Sequence, residues 1–218
     1  MWKTLIDIIF PKKCINCQKE GDFLCLKCFK KIPINKNSPI RFKNKKYKLD
    51  ELIIVSYYQN PILKNVIYRY KYDFIQNLSS SLVSLIKIKA PFLKTNKNAI
   101  LIPVPIHKKR LKWRNFNQSA ILAQKLSQDL NLLILENLII RKKYTIPQAK
   151  LKNTKERKNN LKNVFVTNKE IDKNLIKNKT VILIDDIYTT GATMQECAKI
   201  IKKQFRPRKI IGLVLAKG

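Results

Sequence analysis

The hydrophobic pattern changes period several times along the chain. Leu52 to Tyr58 is a strand-like run, and Pro61 opens a helical pattern that lasts through Tyr72. Leu78 to Ile88 predicts a second helix. Ala99 to Val104 reads as a buried strand ended by Pro103 and Pro105. Gln118 to Leu130 carries apolar residues at 120–123, 126 and 130, the spacing of one helix face. Leu132 to Ile140 and Val164 to Val166 look like further strands, and Val181 to Ile184 is apolar throughout. Thr193 to Gln204 predicts a helix, and Lys209 to Leu215 a closing strand. Strands alternating with helices imply an α/β fold, a parallel sheet with helices on both faces. No internal repeat is visible. Asn35 to Lys48, rich in Lys and Asn, reads as a linker. It divides an N-terminal unit over 1–48 (helix, cysteine module and linker) from an α/β domain over 49–218.

Composition narrows the class. Of 218 residues 45% are hydrophobic, enough to bury a core and too many for a disordered basic tail. No apolar run approaches the roughly 18 residues of a membrane span. Leu5 to Phe10 is broken by Asp7 and followed by Pro11 and Lys12, unlike a secretory signal. The expectation is a soluble, cytoplasmic protein without membrane insertion.

Lys and Arg total 46 against 14 Asp and Glu, a formal charge of +32. Lys supplies 38 of these cations and Arg only 8, a bias that an A- and T-rich genome would write without selection. The charge attracts polyanions whatever its origin. Where the sequence keeps Arg, the bidentate fork is the feature a Lys cannot replace. Arg110, Arg114, Arg141 and Arg157 cluster in one stretch. The window 141–162 holds nine cations and one acid, Glu156. It reads either as a solvated basic loop or as a lid over an anionic ligand.

Two CxxC pairs, Cys14-Ile-Asn-Cys17 and Cys25-Leu-Lys-Cys28, stand seven residues apart. Four thiolates on two tight turns complete a tetrahedral zinc shell. Lys12, Lys13, Lys19 and Lys27 favour the thiolate form, and Gly21-Asp22 supplies a turn between the knuckles. Disulfides are the competing reading, disfavoured in a cytosolic chain. Redox chemistry of one pair is a third. Cys197, inside an apolar helical pattern, reads as core.

The sharpest signal is Val181-Ile-Leu-Ile-Asp185-Asp186-Ile-Tyr188-Thr189-Thr190-Gly191-Ala192-Thr193. Two adjacent carboxylates end an apolar strand, and a small-residue loop opens a helix. Ligands of open α/β sheets sit at that end of the strands. The N–H groups of 189–193 suit an anion, and the carboxylates suit ribose hydroxyls, directly or through Mg²⁺ and its waters. Thr193-x-x-Glu196 matches a capping box that would start the helix.

This segment resembles the phosphoribosyl pyrophosphate (PRPP) loop of type I phosphoribosyltransferases, with Tyr188 where an aliphatic residue is commoner. Together with the CxxC pairs, the chain resembles the ComF family of competence proteins, linked to DNA uptake in natural transformation. Ile102-Pro-Val-Pro-Ile-His107-Lys-Lys-Arg110-Leu-Lys-Trp-Arg114-Asn-Phe-Asn117-Gln118 is similar to a block of that family, as are Phe10-Pro11-x-x-Cys14 and Tyr70-Lys71-Tyr72. So are Thr145-x-Pro-Gln148 and Glu156-Arg157-x-x-Asn160. Asn115 and the pair Asp73-Phe74 stand where Gly is commoner. The resemblance implies a type I phosphoribosyltransferase-like domain behind a zinc module. Asp185 and Asp186 would hold the ribose as catalytic residues, and Thr189, Thr190, Gly191, Ala192 and Thr193 the 5′-phosphate. Lys108, Lys109, Arg110 and Arg114 would meet the diphosphate, with Lys71 a further phosphate contact and 141–160 the closing loop. A structural or ligand-adjacent place is expected for His107, the lone His. The implied cofactors are structural zinc on Cys14, Cys17, Cys25 and Cys28, and Mg²⁺ with PRPP. Partners would include single-stranded DNA and other cytoplasmic competence proteins. No motif identifies an acceptor, so a PRPP- or nucleotide-binding adaptor that also binds DNA remains the alternative to a transferase.

Overall fold

The computed structural model describes residues 11–44, 46–143 and 164–218. The N-terminal helix, Thr145 to Gln148, Glu156 to Asn160 and most of the expected lid lie outside the described residues.

Among the described residues, eight strands and six α-helices follow in chain order. The strands are β1 (Ile40–Arg41), β2 (Glu51–Tyr57), β3 (Ala99–Pro103), β4 (Leu133–Ile134), β5 (Ile139–Arg141), β6 (Phe165–Thr167), β7 (Thr180–Tyr188) and β8 (Lys209–Lys217). The helices are α1 (Leu26–Phe29), α2 (Pro61–Tyr72), α3 (Leu78–Lys89), α4 (Lys108–Arg114), α5 (Gln118–Leu130) and α6 (Ala192–Phe205). The main sheet runs β1-β2-β8-β7-β3-β4, parallel throughout except for the antiparallel edge strand β1. β5 and β6 form a separate antiparallel ribbon.

The apolar run in β7 follows from cover on both faces. Ile182 and Ile184 point into one core with α2, α3 and α5; Val181 and Leu183 point into the other with α6 and the β5–β6 ribbon. Helices therefore lie on both faces of a mostly parallel sheet. Helix α2 starts where Pro61 fits a first turn and Asn60 accepts a hydrogen bond from the Leu63 amide at 2.9 Å. Its buried stripe is Ile62, Leu63, Val66, Ile67 and Tyr70.

The N-terminal unit is joined to this body. Cys14, Leu24, Cys28 and Ile32 belong to the same core as Val66 and Leu82, and the Asn65 amide donates to the Ile15 carbonyl at 3.1 Å. Part of the linker stretch pairs as β1 with β2, and Gln195 of α6 accepts from the Lys48 and Leu49 amides at 2.6 and 3.2 Å. No helix among the described residues is long and apolar enough to cross a membrane.

The local expectations need three corrections. The run Leu132–Ile140 is not one strand: it divides into β4 and β5 of different sheets around Glu136 and Asn137. Helix α4 was hidden by its cations. It exists because the His107 ring accepts from the Lys109 amide at 3.1 Å at one end and Asn115 turns left-handed (φ 60°) at the other. The capping box of Thr193 and Glu196 does not form. The cap of α6 is Gly191 at φ 74°, and Glu196 pairs instead with Lys199 at 3.1 Å. Both departures from the family's glycines keep a glycine-like backbone: Asn115 tolerates it, whereas Phe74 (φ 59°) is strained by it.

Candidate functional site

A cleft of about 410 Å³ opens at the carboxyl ends of four parallel strands. Tyr58 follows β2, Val104 to Ile106 follow β3, Asp185, Asp186, Ile187 and Thr189 stand at the end of β7, and Gly218 follows β8; all line it. Strand order therefore brings together segments far apart in sequence.

The two carboxylates have different surroundings. Asp185 accepts from the Ser119 hydroxyl at 3.0 Å and from the Asp186 amide at 2.9 Å. Burial, then the neighbouring Asp186 carboxylate, push its acid up to about 7, against the lowering pull of the Asp186 amide, Lys71 and Ser119. Asp186 is only 4% exposed; it accepts from the Ile187 amide at 2.7 Å and pairs with Lys71 Nζ at 2.7 Å. Lys71 is thus in the cleft, seated on a carboxylate and clamping α2 to β7.

The loop after β7 forms a hollow of about 30 Å³ lined by Asp185, Thr189, Gly191 and Thr193 among others. Gly191 is required twice: its φ is positive, and a Cβ there would fall inside the Tyr188 side chain. Thr189 and Thr193 also face the main cleft. The amide of Ala192 lies 3.5 Å from the Thr190 hydroxyl.

The cations divide. Arg110 and Arg114 line the cleft; Lys108 faces an adjoining cavity of about 460 Å³, and Lys109, exposed on α4, lines neither. Arg114 is 7% exposed and donates to Gln118 Oε1 at 2.6 Å, while its Nε makes no hydrogen bond among the described residues. Tyr70, fully buried, supports this corner by donating to the Gln118 carbonyl at 2.8 Å. Burial, then Asp186, raise the Tyr70 phenol well above its usual range, so it stays a neutral donor. His107 caps α4, a structural place.

Arg141, Gln118, Ser119 and the tyrosines 58, 68 and 72 also belong to the site; Gln118 and Tyr72 fall within the quoted blocks and Arg141 opens the expected closing loop, whereas no local motif marked Ser119, Tyr58 or Tyr68. Arg141 lines both cavities and lies over the Phe165 ring at 5.4 Å. Burial, and next Arg110, hold its guanidinium below the usual arginine range. Its signal was the rarity of Arg: three of the four clustered arginines converge on this cleft, and Arg157 lies outside the described residues.

At the other end, the Sγ atoms of Cys14, Cys17, Cys25 and Cys28 lie within 4.8 Å of one another, with no disulfide among them. Asn16 Nδ2 donates to Cys28 Sγ at 3.2 Å. For Cys14, burial opposes ionisation, but the amides of Cys25, Cys17 and Asn16 outweigh it and bring the thiol down to about 6. Four converging sulfurs, hydrogen-bonded from the backbone and from Asn16, are a donor set that fits zinc. Cys197 is buried in the core, where burial raises its thiol.

Comparison with known proteins agrees with this geometry. Residues 117–218 match the phosphoribosyl transferase domain, which includes both carboxylates and the loop. Competence protein F of Haemophilus influenzae is 33% identical over 158 residues, covering 71% of this chain and 67% of that protein. Competence protein ComFC of Bacillus subtilis is 24% identical over 164 residues, covering 74% and 62%. DNA utilization protein YhgH of Escherichia coli K12 is 28% identical over 154 residues, covering 69% and 65%. The chain thus spans about two thirds of the length of these curated relatives. A purine phosphoribosyltransferase from Pyrococcus horikoshii superposes with a TM-score of 0.39 at 15% identity, covering 64% of this chain and 82% of that one. A third of positions shared across two thirds of both chains settles the family: this chain is a member of the Competence protein F family, with a phosphoribosyl transferase domain behind its four-cysteine cluster.

Proposed function

We propose that the cleft binds PRPP with Mg²⁺ and that the protein acts in the cytoplasm in DNA uptake during natural transformation; relatives named for competence and for DNA utilization support a role of this kind. One observation carries the ligand: adjacent carboxylates, an anion-binding loop and three arginines converge on one cavity. Asp185 and Asp186 accept hydrogen bonds from the ribose hydroxyls. The loop 189–193 holds the 5′-phosphate, and Arg110, Arg114 and Arg141 face the diphosphate with bidentate donors. Lys71 passes its charge from Asp186 to the ligand. Mg²⁺ fits through its water shell, since both carboxylates already carry protein partners; bound, it would neutralise the diphosphate. Displacement of diphosphate from the ribosyl carbon develops positive charge there, which the adjacent carboxylates stabilise. Zinc on the four cysteines has a structural role.

Mg²⁺ and PRPP at a hundred times their dissociation constant should stabilise the fold by about 2.7 kcal/mol, or roughly 5–11 °C in melting temperature. Asp185→Asn with Asp186→Asn should remove most of that shift and leave the apo fold in place. An equal shift in both proteins would put the ligand elsewhere. Affinity without turnover on any acceptor would favour the adaptor over the transferase.

A further inference from the structure

Four aromatic rings stand on the outer lip of the cleft. Tyr68 and Tyr72, one turn apart on α2, have ring centroids 5.0 Å apart; Tyr72 reaches Trp113 of α4 at 6.1 Å, and Trp113 meets Phe74 at 5.9 Å. They are open to solvent: Trp113 keeps 59% and Tyr68 55% of its surface. A contiguous aromatic patch of this kind is a mark of an interaction site. The backbone gives a second sign. Phe74 takes a left-handed conformation that its side chain disfavours, and such strain is retained where a position has a use.

The chemistry of the surroundings selects the partner. The Arg114 guanidinium lies 5.4 Å from the Tyr72 ring and 5.8 Å from Trp113. Helix α4 carries Lys108, Lys109, Arg110, Lys112 and Arg114 and no acid. Asp73, the acid between Tyr72 and Phe74, is tied to Arg69 at 2.5 Å. A second copy of the chain would bring the same cations and be repelled. The complement is a polyanion that also offers flat π faces. A duplex hides its base faces, and a single free base covers one ring of four. An unpaired strand satisfies both requirements.

We propose that Tyr68, Tyr72, Trp113 and Phe74 are a stacking platform for the bases of single-stranded nucleic acid, with the cations of α4 on its phosphates. Tyr68, Tyr72 and Arg114 line the cleft as well, so a strand on the platform abuts the ligand of the cleft and the two affinities are coupled. That coupling rests on the PRPP reading; the platform does not.

The test measures binding of the full chain to a labelled oligo(dT) of about a dozen nucleotides, to an abasic strand of equal length and to a duplex. Oligo(dT) should bind best. Trp113→Leu should weaken it by about tenfold while Trp113→Tyr largely retains it, because stacking on one ring is lost or kept. Lys112→Gln should lower the slope of log affinity on log salt by about 0.7. Equal affinity for the abasic strand, preference for the duplex, or an unchanged Trp113→Leu affinity would each overturn the platform. So would self-association of the wild type that Trp113→Leu abolishes without affecting oligonucleotide binding, which would assign the patch to a second copy. The PRPP–Mg²⁺ melting shift, run on wild type and Trp113→Leu, should persist in both because Trp113 is outside the cleft lining. Its absence from both would sink the cleft reading and leave the strand result standing.

Discussion

Asp185 holds a proton in the fold that the unfolded chain gives up. Its acid rises to about 7 in the native state, chiefly through burial and then the Asp186 carboxylate, above the ordinary aspartate value. The native state therefore binds more protons between the two values, and stability should fall as pH rises from about 4 to about 7 and level off beyond. The slope is at most about 1.4 kcal/mol per pH unit, the limit for one proton. Urea titrations across that range should show the slope in wild type and lose it in Asp185→Asn; an undiminished slope in the variant would assign it to another group. At Gly191 the constraint is steric. Gly191→Ala should cost about 2–4 kcal/mol, from the clash with Tyr188 and the positive φ together. Tyr188→Val in the same chain should return roughly 1–3 kcal/mol of that. Additive losses in a double-mutant cycle would show that the tyrosine ring is not what the new methyl meets.

Among the elements, the cysteine turns should matter to more than themselves, since Leu24 and Ile32 are packed in the core that α2 and α3 share. Isolated protein should carry about one zinc per chain on four thiolates. Stripping it, or Cys14→Ser, should lower stability by about 3 kcal/mol or more, roughly 6–12 °C in melting temperature. A metal-free protein that melts unchanged would separate the module from the body. The sequence made the major elements legible where one local rule dominates. The β7 run is apolar on both faces and ends in two acids, so both its burial and its chemistry are written in one stretch. Helix α4 was not legible, because it is cationic along its length and is defined by its ends, His107 and Asn115. Tyr58 and Ser119 were illegible as site residues for another reason. Tyr58 reaches the cleft, and Ser119 reaches Asp185, only through the packing of segments far apart in sequence, which no local period records.

For the whole molecule, the +32 charge and the cleft make separable claims on biology. If PRPP binding is required, the Asp185→Asn, Asp186→Asn protein should fail to restore transformation in a deletion strain at normal protein levels. Full restoration would leave the four-cysteine module and the basic, ring-bearing surface as the working parts. If strand binding is mainly electrostatic, its log affinity should fall with log salt by about 0.7 per phosphate contact; a flat response would trace the charge to codon usage. The strand order has a consequence for how the molecule comes into being. β2, made early, finds its parallel partner only in β8, from Glu51 opposite Ile211 to Tyr57 opposite Lys217. Until residues 209–217 leave the ribosome, the sheet consists of two halves that β8 has not yet joined. Pairing across such a span closes late and slowly. The nascent chain therefore exposes the β2 edge until β8 arrives, which makes it a natural client for chaperones.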